Sequence, residues 1–157
     1  MLLKSPGSVA EGVEKLISEN NSLKKSVERF QIQATTMRIK ELVEKSVLIN
    51  NIRFVSGLVE SESADILKNV AYQLRTSSEK MVMVIGTETM GKANILVTVT
   101  DDLVKDKNIS AVAIIKEVSG EINGGGGGQP FLATAGGKNP DGIQRALAKA
   151  AEFLKKV

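Results

Sequence analysis

Five consecutive glycines occupy positions 124–128 of the chain, within "GEINGGGGGQPFLATAGGKNPDG", and a Gly-Gly pair follows at Gly136 and Gly137. Glycine loses more backbone freedom on folding than any other residue and has no side chain to pack. A fold holding such a run must leave it slack or use it as a surface that something approaches closely. Slack linkers separate self-sufficient units and are rich in serine. This run instead lies between a helix-like and a strand-like segment, and removing it leaves "PFLATA" and the last amphipathic segment without a core. The sequence therefore predicts an internal loop of bare backbone, formed by Gly124, Gly125, Gly126, Gly127, Gly128 and Gln129. A partner can reach its peptide planes directly. A companion loop, Gly136, Gly137, Lys138 and Asn139, leads into a predicted helix N-terminus, where free amides favour an anion and Lys138 adds positive charge. Whether the two loops lie at opposite ends of the intervening strand or on one rim stays open at this level.

A second pattern constrains the first third of the chain. Val9, Val13, Leu16, Leu23, Val27, Phe30, Ala34 and Met37 recur at alternating steps of four and three, interrupted where Asn20 takes a stripe position. This is a heptad repeat, with Val13, Asn20, Val27 and Ala34 at a and Leu16, Leu23, Phe30 and Met37 at d. A helix from residue 8 to about 44 is roughly 55 Å long. It starts at Ser8, which has capping-box spacing to Glu11, or one turn earlier at Ser5 and Pro6. The stripe can pack on its own domain or pair with a second copy. An Asn at a fixes register, and in a parallel pair Glu19 faces Lys24 of the partner; both favour a dimerisation surface of Val13, Leu16, Asn20, Leu23, Val27 and Phe30. Gly12, Thr35 and Thr36 weaken the helix.

Downstream, "NNIRFVSGLVE" reads as a strand with Ile52 and Phe54 on one face. "SESADILKNVAYQLR" reads as a helix capped by Ser61 that buries Leu67, Val70, Ala71 and Leu74. "KMVMVIGTETMGKANILVTVT" gives two strands joined by a short polar loop. "DDLVKD" opens a short helix, and "NISAVAIIKEVSGEI" a longer one capped by Asn108, burying Val112, Ile115, Val118 and Ile122. The last helix is capped by Asn139, with Pro140 at its first position and Ile143, Leu147, Ala150 and Leu154 on one face. The expected fold class is α/β of the α+β kind: a helical segment over residues 1–45, then a globular domain over 46–157 with a mixed sheet covered by helices.

Composition limits the chemistry. Histidine and cysteine are both absent, which removes disulfides, most zinc sites and every His-based triad. "GTETMGKA" comes close to a phosphate-binding P-loop but has Ala93 where the magnesium-binding Ser or Thr belongs, and it precedes a strand rather than a helix. No dinucleotide-binding fingerprint fits either, because Gln129 falls at the third glycine position. No nucleophile is paired with a base, so no catalytic residue is expected. With a net charge of +3 the chain tolerates an anionic partner. Aromatic residues make up 3%, so an RNA reader built on stacked rings would need another flat surface, and exposed peptide planes provide one. No leader or apolar span is visible, which predicts a cytoplasmic protein without membrane contact. The glycosylation-like triplets at Asn20 and Asn108 then read as coincidental.

"INGGGGGQPFLATAGGKNPDGIQRAL" closely resembles the C-terminal end of bacterial alanyl-tRNA synthetases, and the order of elements before it matches over essentially the whole chain. The resemblance implies a piece of an enzyme that attaches alanine to tRNA using ATP and edits mischarged tRNA in a zinc-containing domain. ATP, magnesium and zinc would belong to that parent; no cofactor or metal is expected in this segment. It also implies a module that holds tRNA(Ala) near its outer corner, through the glycine residues and their companion loop, and forms a homodimer through the helix. The globular part is similar to the DHH-associated domain of phosphoesterases. Two departures stand out: Gln129 replaces a frequently basic residue, and Phe131 and Leu132 replace a frequent Asp-Met pair, both of which predict a weaker electrostatic grip. The rival readings are an accessory domain of a DHH-type phosphoesterase and a pure coiled-coil assembly module.

Overall fold

A computed structural model describes residues 6–157. Helix α1 spans Pro6–Glu44, so Ser8 lies inside its first turns, and the alternative start at Ser5 lies outside the described residues. The heptad stripe stays uncovered within the chain: Leu16, Leu23 and Phe30 are 59%, 65% and 61% exposed. Only the C-terminal part of α1 docks, burying Thr35 and Ile39 and packing Leu42 and Val43 on the globular part.

The globular part is a mixed sheet of six strands among the described residues, in the order β1-β2-β3-β4-β6-β5. The strands are β1 (Val47–Ile49), β2 (Ile52–Leu58), β3 (Met81–Thr89), β4 (Lys92–Val99), β5 (Gly124–Gln129) and β6 (Leu132–Gly137). Only β2 and β3 run parallel, and parallel neighbours need a crossover, here α2 (Ala64–Thr76). One face of the sheet is covered by α4 (Ala111–Val118) and α5 (Ile143–Lys155), with Val84, Val97, Ile115, Val118, Ile143 and Leu154 in its core. The other face holds Val55, Met83, Ile85 and Leu96 under α2 and the end of α1. A short helix α3 (Asp101–Asp106) follows β4. The α+β architecture anticipated from the sequence is the one observed.

Several local expectations are corrected. The glycine run is strand β5, paired antiparallel with β6 in unbroken register from Gly124 opposite Gly137 to Gln129 opposite Leu132, where a loop was expected. Backbone pairing needs no side chains, so a glycine run beside a complete neighbouring strand can extend the ladder. The first strand of the sheet, β1, goes unanticipated; it pairs antiparallel with β2 across a two-residue turn at Asn50 and Asn51, with φ of 50° and 64°. Asn50 Nδ2 then donates to the carbonyl of Leu154 at the end of α5. Helix α2 is capped by Ser63, whose hydroxyl accepts from the Ile66 amide, while Ser61 donates to the Ser63 carbonyl. Asn108 does not cap α4. It adopts φ of 54° just after α3, and the Ile109 amide returns to the Leu103 carbonyl, the form of a helix C-terminus; Ser110 precedes α4. Val112 is half-buried, with Ile114 taking its place in the core. Asn139 precedes a three-residue 3-10 turn, Pro140–Gly142, and its side chain makes no cap hydrogen bond there.

Candidate nucleic-acid interface

Residues paired directly across a sheet project from the same face. Gly125 pairs with Gly136 and Gly127 with Thr134; Gly136 pairs with Asn94; and Asn94 pairs with Thr87. These residues therefore form one strip across the outer strands. Helix α2 shelters the inner strands of that face and presents exposed Lys68, Asn69 and Tyr72 beside the strip. The result is a floor of backbone and small side chains walled on one side by a helix.

The glycines of β5 divide by parity. A Cβ on Gly124, Gly126 or Gly128 would sit 1.9, 2.0 or 2.5 Å from the carbonyl oxygen of Gly136, Thr134 or Leu132. Those three positions admit no side chain because the neighbouring strand occupies the space. A Cβ on Gly125 or Gly127 would meet nothing within 4 Å. At these two positions the fold itself has no objection to a side chain, and the bare backbone faces open space.

Two recesses lie along the floor. One, about 420 Å³, is lined by Lys68, Asn69, Tyr72, Gly127, Gln129 and Phe131, among others. The other, about 240 Å³, is lined in part by Asp65, Thr87, Asn94 and Gly136. Lys68 and Thr134 border both. Behind the first recess, buried Arg75 donates Nη2 to Asp101 Oδ1 at 2.9 Å. Its guanidinium lies 5.1 Å from the centroid of the Tyr72 ring and 4.6 Å from that of Phe131. The two rings meet edge to face at 6.1 Å. This stack fixes the aromatic wall by cation–π attraction.

The residues anticipated from the sequence are thus separated into two jobs. Gly125, Gly127, Gln129 and Gly136 lie on the open strip. Gly124, Gly126 and Gly128 serve strand pairing, and Gly137 serves close packing, since a Cβ there would meet the Ile122 carbonyl at 2.1 Å. Asn139 donates from its amide nitrogen to the Ile122 carbonyl and from its side chain to the Glu121 carbonyl, tying the exit of β6 to the 3-10 turn Ser119–Ile122. Lys138 is exposed and has no ion pair among the described residues. The same turn carries Glu121, which accepts from Arg145 and Lys149 of α5 at 3.3 Å each. Hydrogen bonds from Lys149 and Arg145 hold its carboxyl below the usual range. The two expected loops are one ladder: Gly124 and Gly137 face each other at one end of it.

Sequence reasoning missed Lys68, Asn69, Tyr72, Thr87, Asn94 and Thr134. Only Tyr72, the single tyrosine, offered a signal. The stripe residues Val13, Leu16, Asn20, Leu23, Val27 and Phe30 are all exposed on α1, far along the chain from this strip. Among the described residues, no three His, Cys, Asp or Glu side chains gather as a metal site, and no helix is long and apolar enough to cross a membrane.

The DHHA1 domain family model matches residues 45–156. The chain is 34% identical over 153 residues to an alanine–tRNA ligase of Cytophaga hutchinsonii, covering 98% of this chain and 17% of that protein. Against the Christiangramia forsetii ligase it is 37% identical over 153 residues, covering 98% and 18%. It therefore spans less than a fifth of the length of these curated relatives. Among solved structures, the C-Ala domain of Aquifex aeolicus alanyl-tRNA synthetase matches with a TM-score of 0.65 at 29% identity, covering 70% of this chain and 97% of that one. A DHH-domain protein described as a member of a family of ribosomal proteins matches with a TM-score of 0.60 at 16% identity, over 90% of this chain and 33% of that one, a likeness of fold alone.

Proposed function

The chain belongs to the DHHA1 family and is similar over nearly its whole length to alanine–tRNA ligases, and from that premise we propose that it is a non-catalytic tRNA-holding and dimerising module of such a ligase. The parent would attach alanine to tRNA(Ala) with ATP in the cytoplasm. This segment would grip the tRNA through the open strip and require no cofactor of its own. One observation carries the reading: Gly125 and Gly127 remain bare although nothing in the fold excludes a side chain there.

Bare peptide planes let a flat, polar partner come to van der Waals distance. Bases and sugars meet that description. Tyr72 adds a ring at the wall, and Lys68 adds a cation for the phosphate chain. The scarcity of charge around the strip predicts a supporting affinity rather than a dominant one. The stripe of α1 supports the second half of the proposal, because its uncovered apolar residues need another surface to cover them.

A gel-shift titration of the 157-residue chain with a tRNA(Ala) transcript at low salt tests the tRNA half. Binding that Gly125→Val and Gly127→Val weaken, with melting unchanged, is the expected result. Absence of binding at low salt, or binding indifferent to both substitutions, overturns it.

A further inference from the structure

The larger recess, about 420 Å³, sits where α2 meets the glycine strand. Its apolar wall is Tyr72 from the helix and Phe131 from the turn joining β5 to β6. Arg75, 4% exposed, lies over one face of each ring and does not border the recess. Rings held in this way have little rotamer freedom left to lose, so a flat ligand can stack on them at small entropic cost. Tyr72 is still 43% exposed, which leaves part of its ring free for such a contact.

Two amides complete the recess, Asn69 from α2 and Gln129 from the end of β5. Both side chains are exposed, and neither has a hydrogen-bond partner among the described residues. An apolar side chain filling the recess would strip water from these amides and return nothing. A nucleobase returns hydrogen bonds, because its edge carries donors and acceptors and each amide offers both. That edge is free only on an unpaired base, which is also the kind that can be splayed out and stacked on a side-chain ring. Lys68, at the rim, suits the phosphate joined to that nucleotide.

We infer that this recess is a pocket for one unpaired base of the bound RNA, stacked on Tyr72 and Phe131 with its edge turned to Asn69 and Gln129. The inference rests on the tRNA-holding reading of the same face. The pocket makes that face select a loop or bulge over a regular helix, whose bases turn their edges to one another.

Tyr72 is the single tyrosine of the 157-residue chain, so 3-fluorotyrosine labelling gives one fluorine NMR signal that reports on the pocket alone. A tRNA(Ala) transcript is expected to move that signal upfield, as a base stacked on the ring would, and a duplex RNA without unpaired bases to leave it in place. By fluorescence anisotropy, Tyr72→Leu is expected to bind the transcript roughly tenfold more weakly, while Tyr72→Phe, which keeps the ring, binds like the parent. Gln129→Ala, at an exposed position, is expected to weaken binding severalfold. A signal unmoved at saturating transcript, or Tyr72→Leu binding like the parent, overturns the pocket and leaves the tRNA-holding face standing. A signal that moves equally with the duplex overturns the choice of an unpaired base. No binding of the transcript to the parent chain overturns both readings.

Discussion

Helix α1 and strand β5 each expose what a folded chain ordinarily hides, and they expose opposite things. The helix shows apolar side chains: Leu16, Leu23, Phe30 and Met37 are all more than half exposed. The strand shows backbone, with no side chain before Gln129. An apolar stripe is satisfied by another apolar surface that excludes water. A glycine strand offers little hydrophobic area and gains instead from close approach of something flat and polar. On the proposed reading the two regions take different partners, a second copy for the helix and a nucleic acid for the strand.

The sharpest way to break this contrast is within the strand itself. Gly126→Val drives a side chain into the Thr134 carbonyl and the Ala135 Cα, 2.0 and 2.5 Å from the new Cβ. Overpacking against backbone that cannot rotate away should cost about 3 kcal/mol or more. Urea denaturation should show it directly, while Gly125→Val should shift stability by less than about 1 kcal/mol. Equal effects at the two positions would dissolve the division of the glycines into structural and exposed sets.

Next in size is the helix. Leu16→Ala with Leu23→Ala removes apolar area from the stripe and leaves the globular core untouched. If a second copy covers the stripe, association should weaken by about 2 kcal/mol, roughly thirtyfold, with the melting of the globular part unchanged. Sedimentation equilibrium measures it. A dimer that persists unchanged would place the assembly surface elsewhere and leave the stripe without its assigned partner.

These two regions also differed in how plainly the sequence spoke of them. The heptad stripe is a local period of side chains, and so are the buried faces of α2 and α5, where Leu67, Val70, Ala71, Ile143, Leu147, Ala150 and Leu154 were all anticipated. Glycine has no side chain with which to write a period of two. That β5 is a strand is decided by its pairing with β6, a fact of tertiary structure. The choice of Ser63 over Ser61 as a cap turned on which hydroxyl reaches the Ile66 amide, and the loss of Asn108 as a cap on its φ of 54°. Lys68, Tyr72, Thr87 and Asn94 were illegible as a site because they come from three separate elements, and only the sheet order sets them beside the glycines.

A smaller effect sharpens the strand's side of the contrast. Gly125→Val should lower tRNA(Ala) affinity about tenfold, equivalent to about 1.4 kcal/mol, because one displaced stacking or backbone contact is lost. The comparison with Leu16→Ala and Leu23→Ala makes it specific. Measured at a chain concentration low enough to be monomeric, the helix substitutions should leave tRNA affinity unaltered. A helix variant that loses tRNA as completely as the strand variant would merge the two regions into one function.

The smallest expected effect concerns what holds the strand's entry in place. Glu121, in the turn that ends at Ile122 just before β5, accepts hydrogen bonds from Lys149 and Arg145 of α5. Those bonds depress its carboxyl below the ordinary 4.5. A depressed folded value means the unfolded chain takes up the proton first. The contribution to stability is therefore complete above about 4.5, the ordinary glutamate value, and is lost as pH falls through that value and then through the folded one. The side chains involved are partly or largely exposed, so salt and solvent keep the effect small. Glu121→Gln should flatten the acid limb of a melting-temperature profile slightly and leave the profile above about pH 6 nearly parallel to that of the parent chain. An unchanged acid limb would mean that the hydrogen bonds of Asn139 to Ile122 and Glu121 alone fix the entry to the glycine strand, with the ion pairs only decorating it.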